Sequence, residues 1–94
     1  MKLEWTRLAI EDRNRIFDYI VNHNPQAAID VDDRIIKQLK LLTEFPKLGR
    51  TGRIENTREL VINHTPYIVA YDTTDKTIRI LRILHGAQLW PESI

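Results

Sequence analysis

The chain has 94 residues, no cysteine, 14 lysines and arginines against 13 aspartates and glutamates, and a formal net charge of +1. That length makes one domain, and a hydrophobic share of 43% is enough for a single two-layer core without metals or bridges. Disulfide scaffolds and thiolate-bound zinc are excluded, no apolar run reaches signal-peptide or transmembrane length, and so small a net charge does not mark a nucleic-acid binder.

A soluble, cytoplasmic protein with no membrane association is therefore expected. Residues 1–45 hold 7 basic and 8 acidic side chains, and residues 46–94 hold 7 basic and 5 acidic. The second set of cations, Lys47, Arg50, Arg53, Arg58, Lys76, Arg79 and Arg82, falls in or beside the predicted sheet. An ordinary solvated sheet face accounts for them as readily as a ligand does.

Lys2 to Trp5 reads as a short strand. Thr6 is an N-cap, because its hydroxyl can accept a free first-turn N–H. Arg7 to His23 carries Ala9, Ile16, Phe17, Ile20 and Val21 as one apolar stripe of a helix. Asn24-Pro25 stops that helix and starts a second, with proline at the first helical position, where no hydrogen bond is lost. Ala28, Val31, Ile35, Leu39 and Leu42 recur at spacings of three and four, and Phe45-Pro46 ends the run.

Lys47 to Thr57 is a loop in which Gly49 and Gly52 are expected to supply positive φ. Strands follow at Arg58–Asn63, Tyr67–Thr73 and Thr77–Leu84, joined by the turns His64-Thr-Pro66 and Thr74-Asp-Lys76. The third is nearly all apolar and reads as a central strand buried on both faces. Short connections make these strands antiparallel. The order β-α-α-β-β-β predicts an α+β domain, with an antiparallel helical hairpin on one face of a small, twisted, mostly antiparallel sheet.

The ordered set of residues resembles the RelE/ParE superfamily of bacterial type II toxins. Leu3-Glu-Trp-Thr-Arg-Leu-Ala-Ile-Glu-Asp12 looks like its opening strand and helix start. Phe17-Asp-Tyr-Ile20 with Asn24-Pro-Gln-Ala-Ala28 looks like its helix joint. Phe45-Pro46, Gly49-Arg50, Arg58-Glu-Leu-Val61, Tyr67-Ile-Val-Ala-Tyr71 and Ile80-Leu-Arg-Ile-Leu-His-Gly86 look like its loop and strands. The likeness spans nearly the whole chain. It implies a growth-arresting toxin neutralised by a cognate antitoxin. RelE-like members cleave mRNA on the ribosome, whereas ParE-like members poison DNA gyrase, and a shared fold does not choose between them.

RNA cleavage through the 2′-hydroxyl needs a base, an acid, and cations on the phosphate. His85 is the acid or base candidate, with Arg82 beside it in sequence, and both are catalytic only on the RelE-like reading. Arg50, Arg53, Arg58 and Arg79 are the other possible phosphate or target contacts. Two features argue against that chemistry. Tyr67 stands where the resemblance to active nucleases implies an arginine. Strand alternation groups Arg82 with Ile78, Ile80 and Leu84, and His85 with Arg79, Leu81 and Ile83, on opposite faces.

His23 and His64 read as surface residues at a helix end and a turn. Asp72, Asp75 and Glu92 have no histidine at metal-binding spacing, so neither a metal nor a cofactor is expected. Leu89 and Trp90 are the candidate antitoxin surface, although Trp90, like Trp5, can equally pack on its own domain. Gyrase inhibition is the favoured reading. Ribosome-dependent mRNA cleavage is the alternative, and a toxin fold retained only for a regulatory complex is a third.

Overall fold

The computed structural model describes residues 1–94. Its elements are β1 (Lys2–Trp5), α1 (Arg7–Val21), α2 (Pro25–Leu41), β2 (Arg50–Thr51), β3 (Arg58–Val61), β4 (Tyr67–Thr73) and β5 (Thr77–His85). One mixed sheet has the strand order β1-β5-β4-β3-β2. β1 runs parallel to β5, and the other neighbours are antiparallel. No helix is long and apolar enough to cross a membrane.

The local signals act as the sequence indicates. Thr6 caps α1 by accepting the Ala9 N–H at 3.2 Å, and Asn24 caps α2 by accepting the Ala27 N–H at 3.1 Å. Both satisfy donors that a helix leaves free in its first turn. The helices lie on one face of the sheet. Ala9, Ile35, Leu39 and Leu42 pack there against Leu60, Ile62, Tyr67, Val69, Tyr71, Ile78, Ile80 and Ile83.

Two expectations are corrected. The 47–57 loop contains a strand, β2, whose two residues pair with Glu59 and Arg58 and extend the sheet by one edge. A two-residue strand leaves no periodicity to read. Neither Gly49 nor Gly52 has positive φ; Asn56 and His64 do, at 63° and 62°. Close approach explains the glycines instead. A Cβ on Gly49 would lie 2.7 Å from the Tyr71 ring, and one on Gly52 would lie 2.2 Å from the Thr57 hydroxyl. β5 is an inner strand as expected, lying between β4 and β1 with residues of both faces buried, and the middle strand of the five is β4, where Tyr67 to Tyr71 are all buried.

A third correction concerns the faces of β5. Ala70 pairs with Arg82 and Tyr71 with Ile80, so Leu81 bulges out without a partner. One extra residue inverts the alternation beyond it. Ile78, Ile80 and Ile83 therefore all face the helices in one core cluster, which simple alternation forbids.

The bulge is held from the start of α1. Thr6 gives its N–H to the Ile80 carbonyl at 3.1 Å and its hydroxyl to the Leu81 carbonyl at 3.0 Å. β1 pairs with β5 only as far as Ile80, so the outer edge of β5 beyond that point has no strand beside it. Asp12 fills the gap. One of its oxygens accepts the Ile83 N–H at 2.9 Å, and the carboxylate binds the Arg82 guanidinium through two bonds of 2.7 and 3.0 Å. Asp12 is only 2% exposed, and a charge so buried is tolerable only with partners this close.

Replacing Asp12 with alanine strands both Arg82 and the Ile83 N–H. Asp12→Ala is expected to lower unfolding stability by about 3 kcal/mol, and Asp12→Asn, which still accepts the N–H, by less. Urea titration measures both, and a loss below about 1 kcal/mol for the alanine variant would show that this carboxylate does not tie α1 to the sheet.

Candidate functional site

The sheet arginines named from sequence are all committed within the protein. Arg50 reaches Glu59 at 3.1 Å. Arg53 binds the same carboxylate through its backbone N–H at 2.7 Å and its guanidinium at 3.2 and 3.3 Å. Arg58 donates to the Gly49 carbonyl at 2.8 Å. Arg79 forms two bonds of 2.9 and 2.6 Å to Asp72, and Arg82 is held by Asp12. Hydrogen bonds to these carboxylates raise the pKa of Arg79 and Arg82 above its ordinary value. Each of these arginines already has its partner in place.

His85 lies at the end of β5, opposite Tyr67, with the two rings edge-on and their centroids 5.7 Å apart. Its Nδ1 accepts the Ala87 N–H at 3.0 Å. A backbone N–H can only donate, so the neutral ring carries its proton on Nε2 and presents a donor outward. The Gln88 side chain accepts the His85 backbone N–H at 2.7 Å and fixes the strand end. No hydrogen bond joins Arg82 to His85. Arg82 turns to Asp12 at the sheet edge, whereas His85 packs on Tyr67 on the helix side.

Tyr67 is 8% exposed and belongs to the core cluster. Burial raises its pKa, and neighbouring Tyr19 raises it further, so the phenol stays protonated at neutral pH. An open cleft of about 500 Å³ is lined by Arg15, Ile16, Tyr19, Pro66, Tyr67 and His85. Arg15 and Tyr19 went unnoticed in the sequence. A signal was present: Asp12, Arg15, Tyr19 and His23 recur along α1 at spacings of three and four, beside the apolar stripe. The Tyr19 and His23 rings pack at a tilt with centroids 5.3 Å apart, and His23 Nδ1 meets the Tyr19 carbonyl at 3.1 Å.

The two C-terminal candidates separate. Leu89 is 95% exposed. Trp90 packs on its own domain, with the Arg53 guanidinium 3.7 Å from its ring centroid. Arg53 in turn grips Glu59, which pairs with Ala70 across the sheet. Since cross-strand partners share a face, Trp90, Arg53 and Glu59 form a clip on the side of the sheet away from the helices.

Comparison with known proteins adds to this geometry. Residues 3–90 match the family described as "ParE toxin of type II toxin-antitoxin system, parDE". A putative toxin, Y4kP, from Sinorhizobium fredii is 38% identical over 97% of this chain and 94% of its own. Toxin RelE2 of Caulobacter vibrioides is 36% identical over 90% of this chain and 94% of its own. Among solved structures, a chain of the chromosomal ParDE system from P. aeruginosa superposes with a TM-score of 0.82 at 31% identity, covering 90% of this chain and 95% of that one. YafQ in the E. coli DinJ-YafQ complex shares the fold, with a TM-score of 0.59 at 17% identity over 96% and 98% of the two chains.

Glu59 gives the clip a pH signature. Burial alone would raise its pKa; the Arg53 backbone N–H and the Arg53 and Arg50 side chains outweigh burial and hold it below the ordinary 4.5. A carboxyl whose folded pKa is lowered stabilises the protein fully above its unfolded pKa and loses that stabilisation as pH falls through the folded one. Glu59→Gln should therefore lower the melting temperature at pH 7 and flatten its decline below pH 4.5. Parallel acid limbs for the two proteins would contradict the assignment.

Proposed function

The chain belongs to the ParE toxin family of type II toxin–antitoxin systems, and from that membership we propose that it arrests growth by binding and inhibiting DNA gyrase, under the control of a cognate antitoxin in the cytoplasm. The observation that carries this reading is the commitment of Arg50, Arg53, Arg58, Arg79 and Arg82 to partners inside the protein. Cleavage of a phosphodiester needs preorganised cations where charge develops, and removing one such donor commonly costs about 3 kcal/mol of transition-state stabilisation. Here each arginine would first have to leave its partner, and Arg82 would leave the buried Asp12 with only the Ile83 N–H and the longer contact to Arg15,.

His85 fits the same reading. Its Nδ1 is occupied, so the neutral ring has no free acceptor for the 2′-hydroxyl proton,. Tyr67, at the position expected of a nuclease arginine, is a buried neutral phenol. The ParDE chain from P. aeruginosa, at 31% identity, supports the ParE-like branch. YafQ, at 17%, bears only on the fold. On the partner side, Leu89 offers an apolar side chain for an antitoxin to cover, whereas Trp90 is already covered.

Purified protein at micromolar concentration is expected to block gyrase supercoiling or trap cleaved DNA, and to leave transcripts intact in a translating extract. Codon-positioned cuts in primer extension, abolished by His85→Ala and by Arg82→Ala, would instead establish the mRNA-cleaving alternative. Folded protein without effect on gyrase would defeat the proposal.

A further inference from the structure

The cleft between α1 and the β4–β5 end has a donor-rich polar lining without a carboxylate. Arg15 is 71% exposed at its side chain and touches Asp12 at 3.4 Å. That carboxylate already holds the Arg82 guanidinium and the Ile83 N–H through three shorter bonds of 2.7, 3.0 and 2.9 Å. Asp12 thus carries two guanidinium groups, and Arg15 holds it by the longest of these contacts from a mostly exposed side chain. Tyr67, more than nine-tenths buried, lines the same cleft, and its hydroxyl bonds to no protein group. The bond from Ala87 leaves His85 presenting Nε2–H. Ile16, Pro66 and the exposed Tyr19 ring supply apolar walls, and no carboxylate is among the lining residues.

From this juxtaposition we infer that the Arg15–Tyr67–His85 cleft is a carboxylate-accepting pocket that docks an acidic residue flanked by apolar ones, presented by the cognate antitoxin. The inference rests on the reading that such a partner exists and is independent of gyrase as target. A peptide is favoured over a nucleic acid because the pocket offers one guanidinium, held only by its 3.4 Å contact to Asp12. Strand binding needs several phosphate contacts in sequence, and the neighbouring sheet arginines are paired. The apolar walls suit a side chain beside the acid, and a charge-assisted bond to Arg15 becomes stronger as the occupant excludes water. Leu89 lies four residues beyond His85, at most about 14 Å of extended chain, so one bound segment can reach it as well.

The test measures the affinity of the full-length toxin for the antitoxin encoded beside it, by calorimetry, with circular dichroism as the check on folding. Arg15→Gln is expected to weaken binding about tenfold or more, and Tyr67→Phe, which removes one hydroxyl and keeps the core packing, about fivefold. Arg7→Gln, an exposed arginine at the start of the same helix, serves as the charge control and stays at the wild-type value. Added salt should weaken the wild-type complex more than the Arg15→Gln complex. Unchanged affinity in both cleft variants, with the wild type binding, overturns the pocket alone. A wild-type protein that fails to bind overturns the toxin–antitoxin reading beneath it. An eight-nucleotide oligouridine that binds and is lost in the same variants replaces the peptide with a nucleic acid.

Discussion

The carboxylate of Asp12 fixes the relation between the two layers of this protein. A parallel strand at the sheet edge must soon leave it, because the chain turns into a helix, and β1 leaves at Ile80. The rest of β5 then has an open edge, which in a sheet invites unwanted pairing. Asp12 substitutes for the missing strand by taking the Ile83 N–H, and it takes the Arg82 guanidinium at the same time. Having buried the charge, the fold has little freedom to move α1. Arg15 and Tyr19, one and two turns further on, are thereby placed over the end of β5, and the cleft they make with Tyr67 and His85 follows from a residue that does not line it.

The bulge at Leu81 belongs to the same construction. Thr6 caps α1 with the oxygen that also donates to the Leu81 carbonyl. One hydroxyl thus sets where the helix starts and where the strand slips. The slip turns Ile83 toward the helices, and His85, two residues on, faces Tyr67. Without it the strand would send His85 to the opposite face from Ile80. A change in one hydrogen bond at the β1–α1 corner is therefore felt at the far end of β5.

Much of the architecture was legible because it is written locally. The caps at Thr6 and Asn24-Pro25, the apolar stripe of α2 and the turn residues between β4 and β5 each act within a few positions of themselves. The candidate site was less legible because its decisive contacts are remote. Asp12 and Arg82 are 70 residues apart, and nothing in a helical periodicity tells that its acidic member will be buried. A bulge adds one residue with no compositional mark, so alternation read from sequence failed on β5. Gly49 is similar: its small size answers to Tyr71, 22 positions away, whose hydroxyl accepts the Gly49 N–H at 2.8 Å and donates to the Pro46 carbonyl at 2.9 Å.

Two buried carboxylates, Asp12 and Glu59, account for why an arginine-rich sheet need not be a phosphate-binding one. Asp12 sits at the open edge of β5 and Glu59 on the face away from the helices, and each gathers guanidinium groups around it, Glu59 adding the clip that seats Trp90. A cation so held contributes to folding, and it can act on a ligand only by giving up that contribution. Sequence composition counts charges, whereas recognition depends on those left over after folding. On the helix side of the sheet the most loosely held cation beside the β5 end is Arg15, with a row of hydrogen-bond donors next to it. That arrangement suits holding one anionic side chain of a protein and is poorly suited to cleaving a nucleic acid.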